Sequence, residues 1–540
     1  MNYKNFSLNS KRILLIFGNS RAGLAIARSL SALGAEVHNV RISKNKTEID
    51  YSNSITKTIY MGDVFSDFYG VFSSLSQIVN DFDIIVPIND AAYELSFKLK
   101  HLAKKSQFAK LPKEKNYRLV SDKFQIHLEF SDLFAPSKIK LNNMFINDIN
   151  KPSIESDFPI YSKPRVSTSV IGQCLRSFKV KRIKNNTDLN RHVRDSWPVQ
   201  CLYQPVIENG QSLGINVVAI NGKILGIACT RRLHQPKDGG GSSYRISEEV
   251  LDEYRNIASE IVQKVDWTGY MMIECIVKDD DIFLIEINPR PYGSLPLTIF
   301  SGVDMPKLLY SEEHNTTDIV IAKPHYRARN FAKDLKWLML NPMSVLGWLF
   351  SLRHFLYRKE RFDVERLTDI LPSITQFQRP FDNLASKLKN KFLFVGLDDN
   401  FDPRKPITFV CKGNINRSIV AEKLLAINSN FIVDSCGFIC KPGRKISQNG
   451  EDFLALHDID ASTHQSKFIG DHSIENSQVV VFERAHVRHV KKFLPDNKVF
   501  LLSKIAKNKT FDIRDPESMR SKEANKIFEQ INDCVRAIYG

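Results

Sequence analysis

The sequence predicts a multidomain protein of mixed α/β and α+β architecture. Its 540 residues are too many for a single hydrophobic core. Strand–turn–helix patterns occur near both ends, in residues 12–40 and 407–425, whereas long strands of alternating polarity occupy the middle. With 43% hydrophobic and 25% charged residues, the composition is that of a globular protein. The predicted segments are a parallel α/β domain at 1–110, an α+β domain at 111–322, a helical basic linker at 323–400, and a second α/β domain at 401–540.

The N-terminal pattern predicts a βαβ scaffold. Residues 12–40 comprise a strand, a glycine-containing turn, an amphipathic helix and a second strand. Gly18 and Gly23 bracket the turn, but the full G-x-G-x-x-G fingerprint is absent, so a dinucleotide is not implied. Residues 81–90 add a buried parallel strand that ends in polar residues, as happens where ligands gather in doubly wound sheets.

The net charge limits the class of binding partner, and the spacing of the cysteines indicates the cellular compartment. The net charge of +16 suits an anionic partner, but Lys and Arg are scattered through every segment. Because no zinc-finger or aromatic-interleaved basic motif accompanies them, nucleic acid is not expected. The eight cysteines lie far apart, without C-x-x-C pairs or a secretory leader. This pattern favours a reducing, cytoplasmic location.

The most apolar segment, WLMLNPMSVLGWLFSLRHFLY, spans residues 337–357. Asn341, Pro342 and Ser344 interrupt it and basic residues end it, which makes it a poor membrane-spanning helix. We interpret it as a buried helical pair in the linker and favour this over an interfacial membrane helix. Peripheral membrane contact is thus the less favoured alternative.

A hairpin in the middle of the chain carries candidate metal ligands. In GYMMIECIVKDDDIFLIEINPRPYGS, Glu274 lies on the first strand and Glu286 on the second, with Asn288 two residues later on the same face. Two carboxylates and an amide oxygen form a hard, oxygen-rich site suited to magnesium held with nucleotide phosphates. Arg290 can then hold a phosphate oxygen. A surface hairpin with ordinary charges is the alternative, but Glu286 within FLIEIN would be costly to bury without compensation.

Together with the upstream VSDK and YSKP sequences, this hairpin resembles the ATP-grasp superfamily over about residues 10–325. The resemblance implies a Rossmann-like domain before an ATP-grasp fold, with ATP and two Mg²⁺ ions as cofactors. It also implies activation of a carboxylate as an acyl phosphate, which an amine then attacks. The residues it assigns are Lys123 and Lys163 for nucleotide phosphates; Gln204, Val206, Glu208 and Gln211 in and after the hinge YQPVIENG for the nucleoside; Glu274, Glu286 and Asn288 for magnesium; and Arg231 and Arg290 as catalytic residues that steady the phosphates or the acyl phosphate.

Two loops of this region carry further expectations. The loop RVSTSVIGQ after Lys163 has Gly172 as its single glycine, so closure over phosphate would use the hydroxyls and amides of residues 167–169. The segment RRLHQPKDGGGSSYR, residues 231–245, is interpreted as a lid or substrate loop. An unstructured hairpin tip is the alternative.

The second candidate site is the sequence VCKGNINRS, where an apolar strand meets a helix. Consecutive backbone N–H groups and a helix N-terminus form an anion cradle at such a junction and favour the thiolate form of a cysteine. Arg417 can hold two phosphate oxygens, and Ser418 can hydrogen-bond the sulfur of Cys411. Asp515, which precedes a proline in DIRDPESM, can protonate a leaving oxygen. A buried, inert cysteine is the alternative.

Residues 405–540 resemble low-molecular-weight protein tyrosine phosphatases through VCKGNINRS, VDSCG, DIDASTHQSKFI and the late Asp-Pro. The resemblance implies a doubly wound parallel α/β domain and a phosphocysteine intermediate. The roles it implies are Cys411 as nucleophile, Arg417 as phosphate clamp, Asp515 as general acid, and Asn414 and Ser418 as supports of the phosphate loop.

Arsenate reductases share this fold and relay electrons through further cysteines, so Cys436 and Cys440 leave that function open. The position of Cys436 directly after a strand disfavours it.

We therefore predict a bifunctional fusion of an ATP- and Mg²⁺-dependent carboxylate–amine ligase with a cysteine-dependent phosphatase. Its partners would be a small-molecule carboxylate, an amine and a phosphorylated substrate. Two further alternatives stay open. One is a regulatory protein phosphatase with an ATP-sensing grasp domain, for instance in envelope polysaccharide control. The other is an ATP-grasp kinase, which an amine requirement for turnover would exclude.

Overall fold

The computed structural model divides the chain into two compact units. Unit 1 comprises Met1–Ser169 and Ser177–Arg379, and unit 2 comprises Val170–Arg176 and Pro380–Gly540. The residues described are 7–42, 46–134, 158–171, 174–189, 192, 200–235, 241–311, 318–376, 400–428, 431–439, 442–471, 474, 477–494, 497–506, 512–517 and 519–539. Gly172, residues 236–240 of the predicted lid loop and Cys440 lie outside them.

Unit 1 begins with the predicted parallel sheet. Its strands are β1 (Arg12–Ile16), β2 (Glu36–Arg41), β3 (Lys57–Tyr60) and β4 (Ile84–Pro87), in the order β3-β2-β1-β4. Its helices are α1 (Arg21–Ala32), α2 (Phe68–Ser76) and α3 (Asp90–Leu99). The first turn of α1 requires glycine, because a Cβ atom on Gly23 would lie 2.0 Å from the carbonyl oxygen of Gly18 in the preceding loop. Ser20 caps α1 by accepting a hydrogen bond from the Gly23 amide.

The large sheet of unit 1 is mainly antiparallel, as predicted for the middle of the chain. Its order is β14-β13-β10-β11-β12-β16-β17, with β15 paired to β11. The strands are β10 (Gln211–Ile220), β11 (Lys223–His234), β12 (Tyr244–Glu248), β13 (Gly269–Lys278), β14 (Asp281–Asn288), β15 (Val320–Ile321), β16 (Arg327–Arg329) and β17 (Glu360–Phe362). Helices α4 (Glu114–Ser121), α5 (Lys123–Glu129), α6 (Asp252–Lys264), α7 (Leu295–Phe300) and α8 (Met305–Tyr310) accompany it.

Two smaller sheets precede the large one in the chain. One has the order β8-β5-β9 and is formed by β5 (Ile160–Pro164), β8 (Lys181–Ile183) and β9 (Cys201–Pro205). The other is a hairpin of β6 (Thr168–Ile171) and β7 (Cys174–Ser177). Short 3₁₀ turns lie at Glu48–Tyr51, Val79–Asp81, Lys105–Phe108, Ser131–Leu133, Pro342–Ser344, Ile469–Asp471 and Arg484–His486.

The described part of the predicted linker is not only helical. It contains α9 (Phe331–Leu340), α10 (Val345–Ser351) and α11 (Arg353–Leu356), but β16 and β17 extend the large sheet on both sides of them. The strands are three residues long and polar, which is why periodicity missed them. Arg329 and Glu360 lie on these strands and form a buried ion pair at 2.8 Å. Residues 327–362 therefore belong to the body of unit 1.

The interpretation of residues 337–357 as a buried helical pair is wrong. Trp348 is buried, but Met343, Leu346 and Leu356 are 96%, 77% and 83% exposed. The helices are held by polar contacts of Asp334 and Trp348 instead of by their aliphatic side chains. No helix among the described residues has the length and hydropathy needed to cross a membrane.

Unit 2 contains the predicted doubly wound domain. Its four parallel strands, in the order β19-β18-β20-β21, are β18 (Ile407–Cys411), β19 (Val433–Gly437), β20 (Gln478–Val481) and β21 (Val499–Leu501). Its helices are α12 (Arg417–Asn428), α13 (Gln448–Ala455), α14 (Val487–Phe493), α15 (Leu502–Ile505) and α16 (Ser521–Tyr539). A core that includes Ile407, Phe409, Phe453 and Phe528 packs α12, α13 and α16 against this sheet.

Candidate active sites

The three predicted metal ligands meet on one hairpin of unit 1. Glu274 on β13 stands directly opposite Glu286 on β14. The register shifts beside this pair, so Ile285 forms a bulge, a device that re-aims side chains in a strand. The side-chain nitrogen Nδ2 of Asn288 donates a hydrogen bond to Glu286 Oε1 at 3.0 Å. Carboxylate and amide oxygens fit a hard divalent cation. Among the described residues, no group of three or more His, Cys, Asp or Glu side chains forms a metal cluster, so phosphate oxygens would have to complete the coordination.

Two lysines offset the negative charge of the Glu286 carboxylate. Lys123 Nζ lies 3.5 Å from Glu286 Oε2 and donates to the Ser167 hydroxyl at 3.0 Å. Burial alone would raise the pKa of Glu286, but Lys123 and Lys163 outweigh it and keep that pKa below its ordinary value. Burial lowers the pKa of Lys163 to about 8, although Glu286 and Glu274 act in the opposite direction. The site therefore concentrates two cations and two anions at the position where the sequence predicts phosphates and a metal ion.

The lowered pKa of Lys163 predicts a pH dependence of nucleotide binding. Only the protonated lysine attracts phosphate, so binding above pH of about 8 requires the uptake of a proton. We expect the affinity for ATP to fall by a factor of about 25 between pH of about 7.5 and about 9.5. Isothermal titration in buffers of different ionisation enthalpy measures both the affinity and the proton uptake. A Lys163→Arg variant should flatten the decline; an unchanged decline would assign it to another group.

The predicted hinge lies on β9 and the turn that follows it. β9 pairs with β5 so that Gln204 is opposite Tyr161. Gln204 is buried, contacts His127 Nε2 at 3.0 Å, and its Oε1 has no hydrogen-bond partner among the described residues. Gln204 and Val206 line the same cavity as Lys163. Of the other predicted nucleoside contacts, Glu208 and Gln211 are exposed and lie outside the cavity lining.

The cavity has a volume of about 890 Å³, which is large enough for a nucleotide and a second substrate. Besides Lys163 and the acids of the hairpin, arginines from several elements line it. They are Arg21, Arg231, Arg232, Arg245 and Arg290.

Each of these arginines contacts an acid, and the sequence predicted none of the pairs. Of the arginines it did name, Arg231 contacts Glu248 at 2.6 Å, and Arg290 contacts Asp90 at 2.9 Å. The neighbouring Arg232, which was not predicted, contacts Glu274 at 2.5 Å.

A further anchor comes from the segment predicted to be a helical basic linker. Buried Asp363 follows β17 and contacts Arg21 at 2.8 Å as well as Arg245. Arg21 and Asp363 are 342 positions apart, so no local pattern could have paired them. The sequence predicted residues 323–400 only as a helical basic linker, so Asp363 was missed.

In unit 2, Cys411 is the last residue of β18 and the following loop curls around its sulfur. The Asn414 amide donates to Cys411 Sγ at 3.3 Å, and the Ser418 hydroxyl lies 3.1 Å from it. Asn414 adopts a positive φ of 53°, which asparagine tolerates better than most residues. Its side chain donates to Ser418 at 3.0 Å and Ser435 at 2.7 Å, and accepts from the Lys467 amide at 2.8 Å. The loop is thus held from its centre.

Arg417 begins α12 and is 1% exposed. It donates to Asp515 Oδ2 at 3.0 Å and to the Ile513 carbonyl at 2.7 Å, and it also pairs with Glu483. Burial alone would lower the pKa of Arg417, but Asp515, Cys411 and Glu483 outweigh it and raise that pKa. Although burial opposes it, hydrogen bonds from His486 and Arg417 lower the pKa of Glu483 to about 2.

Glu483 was not predicted, because it follows β20 in an ordinary polar turn.

Cys436 offers little as a redox partner for Cys411. It lies on β19 and is fully buried, and burial raises the pKa of its thiol well above the ordinary value. Such a thiol stays protonated near neutral pH and is a poor nucleophile.

Unit 1 thus contains a mainly antiparallel sheet with a large cavity lined by the acids of the β13–β14 hairpin. Unit 2 contains a parallel α/β domain in which a loop surrounds the sulfur of Cys411. Residues 137–294 match the ATP-grasp domain family, and residues 406–539 match the low molecular weight phosphotyrosine protein phosphatase family. The chain therefore joins an ATP-grasp domain to a low-molecular-weight phosphatase domain, which confirms the resemblances seen in its motifs. Both domains belong to families of enzymes.

Individual known proteins are similar to parts of the chain. The formate-dependent phosphoribosylglycinamide formyltransferase of Prochlorococcus marinus strain MIT 9312 is 22% identical over 308 residues, which cover 55% of this chain and 74% of that protein. The ADP complex of N5-carboxyaminoimidazole synthetase from Staphylococcus aureus is 14% identical with a TM-score of 0.42, covering 60% of this chain and 83% of that one. Vibrio vulnificus Wzb in complex with benzylphosphonate is 23% identical with a TM-score of 0.23, covering 24% and 94%.

Proposed function

We propose that the chain is a bifunctional enzyme. Its ATP-grasp domain would activate a carboxylate with ATP and join it to an amine, and its phosphatase domain would hydrolyse a phosphate ester through a phosphocysteine. The observation that carries the ligase proposal is the convergence of Lys163, Glu274, Glu286 and Asn288 on a cavity that arginines also line.

The two groups of side chains suit different parts of the reaction. Lys123 and Lys163 would donate hydrogen bonds to nucleotide phosphates, next to the carboxylates of the β13–β14 hairpin. Glu274, Glu286 and Asn288 would hold Mg²⁺, which would offset charge on the phosphates when bound. The arginines would bind the acid and stabilise the charge of an acyl phosphate.

Arg231 and Arg290 are pre-positioned for that role by their own acids. Because Glu248 and Asp90 already orient them, little side-chain entropy remains to be lost when a substrate binds. Support for a carboxylate substrate also comes from the similar formyltransferase, which is formate-dependent, since formate is itself a carboxylate.

Hydroxylamine tests the ligase without knowledge of the natural amine. It attacks acyl phosphates, so an activated acid gives a coloured ferric hydroxamate. The intact protein would be incubated with ATP, Mg²⁺, hydroxylamine and pools of carboxylic acids. We expect ADP and hydroxamate in equal amounts with one pool. ADP with a phosphorylated product and no hydroxamate would indicate a kinase, and ATP binding without ADP in any pool would indicate a nucleotide sensor.

The phosphatase proposal rests on the contact of Arg417 with Asp515 beside the Cys411 loop. The sulfur of Cys411 would attack phosphorus while the bond to the leaving oxygen breaks, and Asp515 would give that oxygen a proton. Water would then cleave the phosphorus–sulfur bond and release phosphate and the free thiol. Arg417, fixed by Glu483 and the Ile513 carbonyl, would hold the equatorial phosphate oxygens.

Replacement of the general acid should depend on the leaving group. Asp515→Asn removes the proton donor, so we expect kcat/KM for phenyl phosphate to fall by about 10² to 10⁴. The loss should be much smaller for p-nitrophenyl phosphate, whose leaving group needs less protonation. Asp512→Asn is the matched control, because Asp512 lies on the same segment and pairs with Arg484. Equal losses for both esters would show that Asp515 only positions Arg417.

A further inference from the structure

Unit 1 carries an unusual patch of exposed apolar side chains on α9, α10, α11 and the turns between them, here called the apolar surface. Its members are aliphatic or aromatic, and each is more than a third exposed. They are Leu335, Met339, Leu340, Met343, Val345, Leu346, Leu349, Phe350, Leu356 and Tyr357. Surfaces of this kind are uncommon on proteins that contact only water.

The polarity of this segment is the reverse of an ordinary amphipathic helix, which turns its apolar stripe inward. The anchoring contacts are polar and aromatic. Asp334 is fully buried and accepts hydrogen bonds from Arg329, from the Trp348 indole at 2.7 Å and from Ser243 at 2.7 Å. Because this buried network attaches the helices, the outward leucines and methionines are not needed for the core of unit 1.

The exposed charges carried by the segment itself have one sign. Residues 331–362 contain two acids, Asp334 and Glu360, and both are buried in ion pairs with Arg329. The exposed charged side chains in this range are all cationic. They are Lys333, Lys336, Arg353, Arg358, Lys359 and Arg361.

We propose that the apolar surface binds the surface of an anionic lipid bilayer. Exposed leucine, methionine and phenylalanine side chains would enter the boundary between headgroups and acyl chains, and the surrounding lysines and arginines would face lipid phosphates. The longest of these helices, α9, has ten residues, which suits a helix that lies in the interface and not one that spans it.

Charge complementarity favours lipid over a second copy of the chain. Two copies that met through this surface would place cationic rims against each other without exposed acids from the same segment to offset them. An anionic bilayer offers the complementary sign together with an apolar layer. This inference does not depend on the proposed reactions, because it uses none of the cavity or phosphate-loop residues.

The test is sedimentation of the full chain with vesicles of phosphatidylcholine alone and of phosphatidylcholine mixed with phosphatidylglycerol. We expect binding to the mixed vesicles, weaker binding at high salt, and little binding to the neutral ones. Leu346→Glu/Leu349→Glu should weaken binding at least about tenfold, because burial of each leucine contributes about that factor or more. Leu456→Glu/Ile432→Glu is the matched control, since both side chains are 74% exposed on unit 2.

A pair of charge-reversing substitutions separates the electrostatic contribution to vesicle binding from the apolar one. Lys336→Glu/Lys359→Glu should reduce the preference for anionic vesicles, whereas Lys104→Glu/Lys105→Glu, which reverses exposed lysines elsewhere on unit 1, should not. Circular dichroism and thermal midpoints would verify that all variants fold. The proposal is overturned if the folded wild-type chain binds no vesicle, or if the leucine pair binds as the wild type does. It is also overturned if light scattering shows a wild-type dimer that the leucine pair converts to a monomer, because a second copy would then cover the surface.

Discussion

Glu286→Gln is expected to lower the rate of ADP formation by a factor of about 10² or more, the scale on which removal of a single transition-state electrostatic contact acts. The substitution keeps the shape of the side chain but removes the charge that faces Lys123 at 3.5 Å. It would weaken the metal site and leave two buried lysines without their main counter-charge. The rate of ADP release with saturating acid measures the effect.

The same variant makes a second, independent prediction about Lys163. Glu286 is the strongest of the acids that raise the pKa of Lys163. Neutralisation of Glu286 should therefore lower the pKa of Lys163 below its present value of about 8. The decline of ATP affinity with pH should therefore begin at a lower pH. Asp281→Asn is the control, because Asp281 is exposed at the start of β14 on the same hairpin. Turnover close to the wild-type rate in Glu286→Gln would contradict the assignment of the hairpin as the catalytic centre.

Cys411→Ser is expected to abolish hydrolysis of aryl phosphates, with a loss of at least about 10⁴-fold, because the serine hydroxyl is a far weaker nucleophile at neutral pH. Binding of inorganic phosphate should persist, since Arg417 and the loop held by Asn414 keep their contacts. Steady-state hydrolysis and phosphate titration measure the two effects separately. A variant that loses phosphate binding as well would indicate a collapsed loop.

Cys436→Ala serves as the matched control for the nucleophile. It replaces a buried thiol whose pKa is raised, so hydrolysis should change little apart from a loss of stability. A loss as large as that of Cys411→Ser would instead indicate that the Cys411 loop depends on the packing of Cys436. The variants also separate the two domains, because Glu286→Gln should leave aryl phosphate hydrolysis intact and Cys411→Ser should leave ADP formation intact.

The parts of the fold that could be predicted are those encoded in consecutive residues. The alternation of polarity in β13 and β14 placed Glu274 and Glu286 on adjacent strands of one hairpin, and the apolar strand before Cys411 placed the phosphate loop at a strand-to-helix junction. Both placements depend on local patterns that a short stretch of sequence contains, whereas the bulge at Ile285 that sets the two acids directly opposite was not predicted. The family matches confirm both domains.

The parts that could not be predicted depend on distant pairs. Asp363 holds Arg21 and Arg245 from a segment predicted to be a helical basic linker, and Glu483 holds Arg417 from another strand end. Neither acid lies in a motif, so each becomes visible only when the chain is folded. The apolar helices were misjudged for a related reason: hydropathy predicts that leucines are buried, but Asp334 on α9 is held toward the protein by the distant His234 and Ser243.

The transfer of oxygen from acid to phosphate tests the central claim most directly. Once the hydroxamate screen identifies an acid, that acid would be labelled with ¹⁸O in its carboxylate and incubated with ATP, Mg²⁺ and an amine. An acyl phosphate intermediate predicts that the inorganic phosphate released carries one ¹⁸O atom for each amide formed, as measured by mass spectrometry. Unlabelled phosphate, or label recovered in AMP, would contradict the assignment of this chain as a ligase that acts through an acyl phosphate.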